Sequence, residues 1–153
     1  MNQNFSTMYF TRCPNHKKRE SGCQIMKADR TGSTYGEPIA VEIKTIDSLD
    51  VVGHPTLSSD ELKLIFASER RNGIGGKDLW ISERESKREE FGRPRNLSAL
   101  VNTEGDELYP FMRNDSTLYF ASDGHGGMGG LDIFVTTLDS LGEWTTPVNL
   151  KSP

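Results

Sequence analysis

Leu118-Tyr119-Phe120-Ala121-Ser122-Asp123-Gly124-His125-Gly126-Gly127-Met128-Gly129-Gly130-Leu131-Asp132-Ile133-Phe134-Val135-Thr136 reads as a strand, a turn and a second strand. β-Branched and aromatic residues flank its glycines, which lack a Cβ and so adopt backbone angles that other residues resist. An earlier stretch, Leu64-Ile65-Phe66-Ala67-Ser68-Glu69-Arg70-Arg71-Asn72-Gly73-Ile74-Gly75-Gly76-Lys77-Asp78-Leu79-Trp80-Ile81-Ser82, aligns with it without a gap. Phe66 then matches Phe120, Gly75-Gly76 match Gly129-Gly130, and Asp78 matches Asp132. A weaker copy opens at Thr7-Met8-Tyr9-Phe10-Thr11-Arg12. The chain is an internal repeat.

Phe10 and Phe66 are 56 positions apart and Phe66 and Phe120 are 54 apart, a period too long for the short helical repeats and slightly above the kelch spacing of about 50. Each period carries strand signals and no helical stripe, which predicts an all-β chain of four-stranded antiparallel blades. The second copy gives the order. A first strand near His54-Pro55-Thr56-Leu57-Ser58 turns at Ser59-Asp60-Glu61 into a second, Leu62 to Ser68. The glycine turn leads to a third, Asp78 to Glu83, and a charged segment, Arg84 to Glu90, leads to a fourth around Arg93-Pro94-Arg95-Asn96-Leu97. Mixed charges are costly to bury, so that segment is expected to be a solvated loop.

The third copy repeats the plan with Tyr109-Pro110-Phe111-Met112, a turn at Asn114-Asp115-Ser116, and a last strand in Trp144 to Leu150. Pro147 and Asn149 echo Pro94 and Asn96, and the prolines suit an outer strand because proline cannot donate to a central ladder. The first copy ends in the same way at Glu37-Pro38-Ile39-Ala40-Val41 but lacks an opening strand. The expected organisation is a partial β-propeller over 1–153, with blade 1 at about 1–46 lacking its first strand, blade 2 at about 52–100 and blade 3 at about 107–153. Known propellers close with roughly four to eight blades, and a six-bladed ring of this period needs roughly 330 residues. The expectation is therefore a fragment of a ring, or a ring completed by association.

Composition agrees with a folded domain, at 34% hydrophobic and 26% charged. A net charge of -4 with both signs interspersed gives no basic stripe for nucleic acid. No apolar run is long enough to cross a bilayer, and the first residues show no charged segment followed by an apolar core, so no signal peptide is visible.

At His54-Pro55-Thr56-Leu57-Ser58-Ser59-Asp60, Leu64-Ile65-Phe66-Ala67-Ser68 and Asp132-Ile133-Phe134 the chain resembles the TolB-like, WD-repeat-like six-bladed propellers. The phrase Val101 to Phe111, followed by Tyr119 to Phe134, is similar to the propeller segment of OmpA-family envelope proteins of Bacteroidetes, including the PorE-like component of the type IX secretion system. The resemblance implies a periplasmic, outer-membrane-associated interaction module that binds protein or peptide partners in the cell envelope. Peptidoglycan would be bound only through an OmpA-like domain, whose residues do not occur in this sequence. The family's usual Asp-Gly after the first strand is replaced by Asp60-Glu61 and Asp115-Ser116, and the first copy has Cys23-Gln24-Ile25-Met26 where the others have Lys77-Asp78-Leu79-Trp80 and Leu131-Asp132-Ile133-Phe134.

Several motifs have a structural and a functional reading. Gly124 to Gly129 spells G-x-G-x-x-G after a strand, but a dinucleotide turn must open a helix, and Asp132 to Thr137 reads as a strand. Asp123, His125 and Asp132 match no calcium loop, and the second copy has Arg71 in place of His125, so no metal is expected. Asp78 and Asp132 are expected to accept backbone amides of their own glycine turns. Cys13 and Cys23 bracket the loop joining two strands whose ends should be neighbours. A disulfide there would contribute about 2 to 3 kcal/mol and is the reading that periplasmic resemblance favours, with two free thiols or a zinc site with His16 as alternatives.

No nucleophile elbow or paired carboxylates appear, and no cofactor is expected. The three histidines, His16, His54 and His125, all fall in loops or at a strand start, and His54 is read as packing. The function expected is a non-enzymatic scaffold whose partner face includes Arg70, Arg71, Asn72, Asp123 and His125. The alternative is a propeller that binds or gates substrate for a carbohydrate-active or peptidase domain.

Overall fold

The computed structural model describes residues 2, 4–14, 22–46 and 50–151. Its strands form three four-stranded antiparallel sheets, and the described residues contain no helix. The first sheet holds β1 (Thr7–Arg12), β2 (Gln24–Thr31), β3 (Thr34–Tyr35) and β4 (Ile39–Ala40). The second holds β5 (Val52–Leu57), β6 (Lys63–Ser68), β7 (Asp78–Glu83) and β8 (Arg95–Asn96). The third holds β9 (Glu107–Arg113), β10 (Thr117–Ser122), β11 (Asp132–Thr137) and β12 (Val148–Asn149). In the second and third sheets spatial order follows chain order.

The gap-free sequence alignment is also an alignment of register. Phe66 stands opposite Trp80, Phe120 opposite Phe134, and Phe10 opposite Met26. The expected third strand, Asp78 to Glu83, is the observed β7, whereas β5 begins at Val52, ahead of the predicted start near His54, and β8 keeps only two residues. The first sheet departs from the plan. There β2 extends over 8 residues and turns back through Gly32, at φ 65, into β3. β3 pairs with Arg30 and Thr31 while β4 pairs with Met26 and Lys27, so the two short strands share one edge of β2.

The two turns without the Asp-Gly pair still use left-handed backbone, with Glu61 at φ 61 in one and Asn114 and Asp115 at φ 52 and 56 in the other. Short polar side chains hold them. Asp60 accepts the Leu62 amide at 2.9 Å, and Asp115 accepts the Ser59 amide at 2.6 Å together with the Ser59 hydroxyl, which joins the two turns.

The second sheet lies between the other two, and its strand sequences record this. Every residue of β6 after Lys63 and of β7 before Glu83 is buried, because both faces are covered. Leu64, Phe66 and Trp80 pack with Ile25 and Phe91 toward the first sheet. Ile65, Ala67, Leu79, Ile81 and Leu97 pack with Met112, Leu118, Phe120, Phe134 and Trp144 toward the third. Fully burying one such Phe or Leu contributes roughly 1.5 to 3 kcal/mol. Strand β10 alternates buried and half-buried residues instead, as a strand covered on one face does.

One polar cluster ties the first sheet to the second. The carboxylate of Glu61 accepts hydrogen bonds from Asn2 at 3.0 Å, the Tyr9 hydroxyl at 3.1 Å and Lys87 at 2.9 Å, while its carbonyl accepts from Arg84 at 3.0 Å. The Arg84 guanidinium lies 4.2 Å from the centre of the Phe91 ring. The charged loop after β7 is thus anchored at Arg84 and Lys87, while Glu85, Arg88, Glu89 and Glu90 are exposed as expected. Burial, then the neighbouring Glu61 carboxylate, pushes the Tyr9 hydroxyl up to about 12. Burial opposes ionisation of Glu61, but the bonds from Asn2, Lys87 and Tyr9 outweigh it and hold its carboxyl below the ordinary value.

The pH dependence follows in sign. Tyr9, with a raised value, stabilises the fold fully below its ordinary value of 10.0, and that contribution is lost as pH rises toward about 12. Glu61, with a lowered value, contributes above its ordinary 4.5 and loses that contribution as pH falls below it. Denaturant midpoints compared at about pH 9 and about pH 11.5 should therefore fall less in Tyr9→Phe than in the parent chain. An identical fall in both would disconnect Tyr9 from the alkaline loss.

Candidate interaction surface

Each glycine turn closes on a carboxylate. Asp78 is buried and accepts the Ile74 amide at 2.5 Å, the Gly75 amide at 3.3 Å and the Asn96 side-chain amide at 3.0 Å. Asp132 accepts the Met128 amide at 2.6 Å. A Cβ on Gly73 or on its counterpart Gly127 would run into that carboxylate, which gives these two positions a packing reason to be glycine. Strand β11 follows the second of these turns, where a dinucleotide site has a helix. Among the described residues no three of His, Cys, Asp and Glu gather as a metal site, and no helix is long and apolar enough to cross a membrane.

The turn of one sheet also seats the start of the next. Between the second and third sheets the Gly76 amide donates to the Gly105 carbonyl at 2.9 Å, the Lys77 amide to Asp106 at 2.8 Å, and the Glu107 amide to the Lys77 carbonyl at 2.6 Å. A Cβ on Gly75 would overlap the backbone of Thr103 and Glu104. Between the first and second sheets the Val52 amide donates to the Cys23 carbonyl at 3.1 Å, the same bond at the aligned position. There Cys23 is joined to Cys13 by a disulfide, with their Cα atoms 4.1 Å apart. His16, named above as an alternative zinc ligand, lies outside the described residues.

The residues expected on the partner face divide into two groups. Arg70 is held inside the fold: its guanidinium pairs with Asp50 at 3.2 Å, donates to the Thr45 carbonyl at 3.2 Å and lies 5.5 Å over the Trp80 ring. Asp123 accepts the Asp106 amide at 2.8 Å, and His125 bonds the Val101 carbonyl at 2.8 Å with its ring 4.9 Å from Phe134. Both hold the third sheet's own entry loop. Arg71 and Asn72 are exposed beside Arg70 and remote in role from that pair.

A repeat count too small to close a ring implies an exposed apolar blade face, and the outer face of the third sheet is such a surface. The second-sheet residues Ile65, Leu79, Ile81 and Leu97, all covered by the third sheet, align with Tyr119, Ile133, Val135 and Leu150. Ile133 is 56% exposed and Leu150 49%, and Tyr119 and Val135 are half-buried. Phe111, 60% exposed and paired with Tyr119, continues this apolar surface onto β9. The apolar character of these residues was visible in the sequence, but which face lacked a cover was not.

His54 is packing, as its sequence position suggested. Its ring stacks on Tyr109 at 4.2 Å, and both residues sit at left-handed bulges, φ 52 and 53, in the first strands of their sheets. Burial, followed by the Lys77 charge, lowers its basicity.

No protein-family model matches the chain, and no curated protein matches it.

Gly75→Ala should destabilise the chain by about 1 to 3 kcal/mol, because its methyl would separate two sheets, while Gly126→Ala, which meets open space, should change stability by less than about 1 kcal/mol. Equal thermal midpoints for the two variants would contradict the seating role of Gly75. Reducing the Cys13–Cys23 bridge should cost about 2 to 3 kcal/mol in a denaturant titration, since it frees a short closed loop in the unfolded chain.

Proposed function

We propose that the chain is part of a TolB-like β-propeller, of the kind found in OmpA-family envelope proteins, and that it works as a non-enzymatic module for protein contacts in the periplasm. Three antiparallel four-stranded sheets in repeat, stacked face to face with the second between its neighbours, support the propeller reading. The resemblance supports the compartment and the scaffold role.

The observation that carries the interaction reading is the apolar outer face of the third sheet. Its residues occupy the positions that in the second sheet receive a whole neighbouring sheet. The Leu131 carbonyl stands where Lys77 and Cys23 each accept an amide from the next sheet's first strand. The occupant this surface fits is a further four-stranded repeat of the same kind, which brings an apolar inner face and an entry strand with a free amide. Exposed apolar area of this extent marks an interaction surface in soluble proteins.

Sedimentation at high protein concentration should show self-association of the chain, weakened by Ile133→Glu, with the thermal midpoint of the variant near that of the parent because Ile133 is already 56% exposed. Monomeric behaviour of the parent chain up to about millimolar concentration would count against a covering repeat.

A further inference from the structure

An open-sided cleft of about 430 Å³ lies where Thr45, following the first sheet, meets the second sheet. Arg70, Arg71 and Asn72 of the turn after β6 line one side, Arg93 before β8 lines the other, and Trp80 forms part of the wall. Three arginines thus line one cleft of a chain whose net charge is -4.

These arginines are not needed to build the hairpin. Their counterparts in the third sheet are Gly124 for Arg70, His125 for Arg71 and Thr146 for Arg93, and that sheet has the same strand order and register. Arg70 lies over Trp80 and is satisfied by Asp50 and the Thr45 carbonyl. Arg71 and Arg93 are exposed, and neither has an ion pair among the described residues. Like charges held together repel, and a bridging anion converts that repulsion into charge-assisted hydrogen bonds. Guanidinium groups match a carboxylate in two-pronged geometry.

We propose that this cleft binds a carboxylate side chain from an acidic segment of a protein partner. The proposal rests on reading the chain as an interaction module and adds the chemistry of what it binds. A polyanion such as nucleic acid fits less well, because the positive charge is confined to one cleft with no stripe for a phosphate backbone to follow. The cleft is open on its side, as an extended peptide passing across it requires, and Arg clusters are a recurrent means of reading acidic motifs.

The test uses the intact chain and two fluorescent peptides of alternating Ser with Glu or with Gln, followed by anisotropy. The Glu peptide should bind, and more weakly as salt rises, while the Gln peptide should not bind. Arg71→Ala and Arg93→Ala should each weaken binding about tenfold, the loss of one charge-assisted contact. Arg95→Ala should leave it unchanged, since Arg95 lies outside the cleft and pairs with Glu83 at 3.5 Å. Arg71 and Arg93 are exposed and have no ion pair among the described residues, so their variants should keep the parent thermal midpoint. Binding of the Gln peptide as tightly as the Glu peptide, binding indifferent to Arg71 and Arg93, or inorganic phosphate holding the cleft as tightly as the Glu peptide would each overturn the proposal. Sedimentation separates the two readings: a chain that associates through its third sheet yet ignores the Glu peptide loses this proposal alone.

Discussion

The architecture depends on one backbone hydrogen bond made twice. The first residue of an incoming strand donates its amide to the carbonyl just before β2 in the first sheet and just before β7 in the second, Val52 to Cys23 and then Glu107 to Lys77. This bond fixes how far one sheet slides along the next, and so which apolar side chains meet. Phe66 shares a core with Ile25 and Phe91 in one seam, and Phe120 shares one with Leu79 and Ile81 in the other. Packed interiors tolerate little error in such an offset.

The two junctions hold their turns by different physics. In the second sheet the turn is shaped in the native state, by amides of Ile74 and Gly75 on the Asp78 carboxylate and by glycines that allow Thr103 and Glu104 to approach. In the first sheet the covalent Cys13–Cys23 bond acts largely on the unfolded chain, by removing conformations available to it. A reducing environment therefore weakens one seam and leaves the other intact. The Glu61 cluster reinforces that same first seam from its other end, with Tyr9 on the first sheet and Arg84 and Lys87 beyond the second.

Much of this was legible in the sequence because the hairpins are local. The glycine turns, the aspartates that close them and the strand limits of β6, β7, β10 and β11 all follow from residues within about twenty positions of one another. The misses are long-range or hidden by repetition. Tyr9 and Glu61 are 52 positions apart, and no periodicity links them. Asn102, buried and bonded to both the amide and the carbonyl of Leu79, acts as a substitute strand from 23 positions away. The extra strand β3 depends on a turn at Gly32 that the other copies do not have. At Asp123 and His125, where the copies also differ, the side chains support the entry loop of the third sheet. Arg71, which also differs between the copies, makes no hydrogen bond or ion pair among the described residues.

The third sheet makes the clearest physical argument about what the chain is for. An antiparallel sheet that faces water on one side ordinarily carries polar residues on that side. Here the outward positions of β10 and β11 and the residue after β12 hold Tyr119, Ile133, Val135 and Leu150, as apolar as the Ile65, Leu79, Ile81 and Leu97 that they repeat. The turn beside them is equally unfinished: a Cβ on Gly75 would collide with the next sheet's entry loop, while one on the aligned Gly129 would meet nothing. Glycine at φ 111 in an empty turn brings a conformational cost with no packing gain within the chain. Face and turn thus share one property: each keeps the residues that in the second sheet meet a neighbouring sheet, and among the described residues neither meets one.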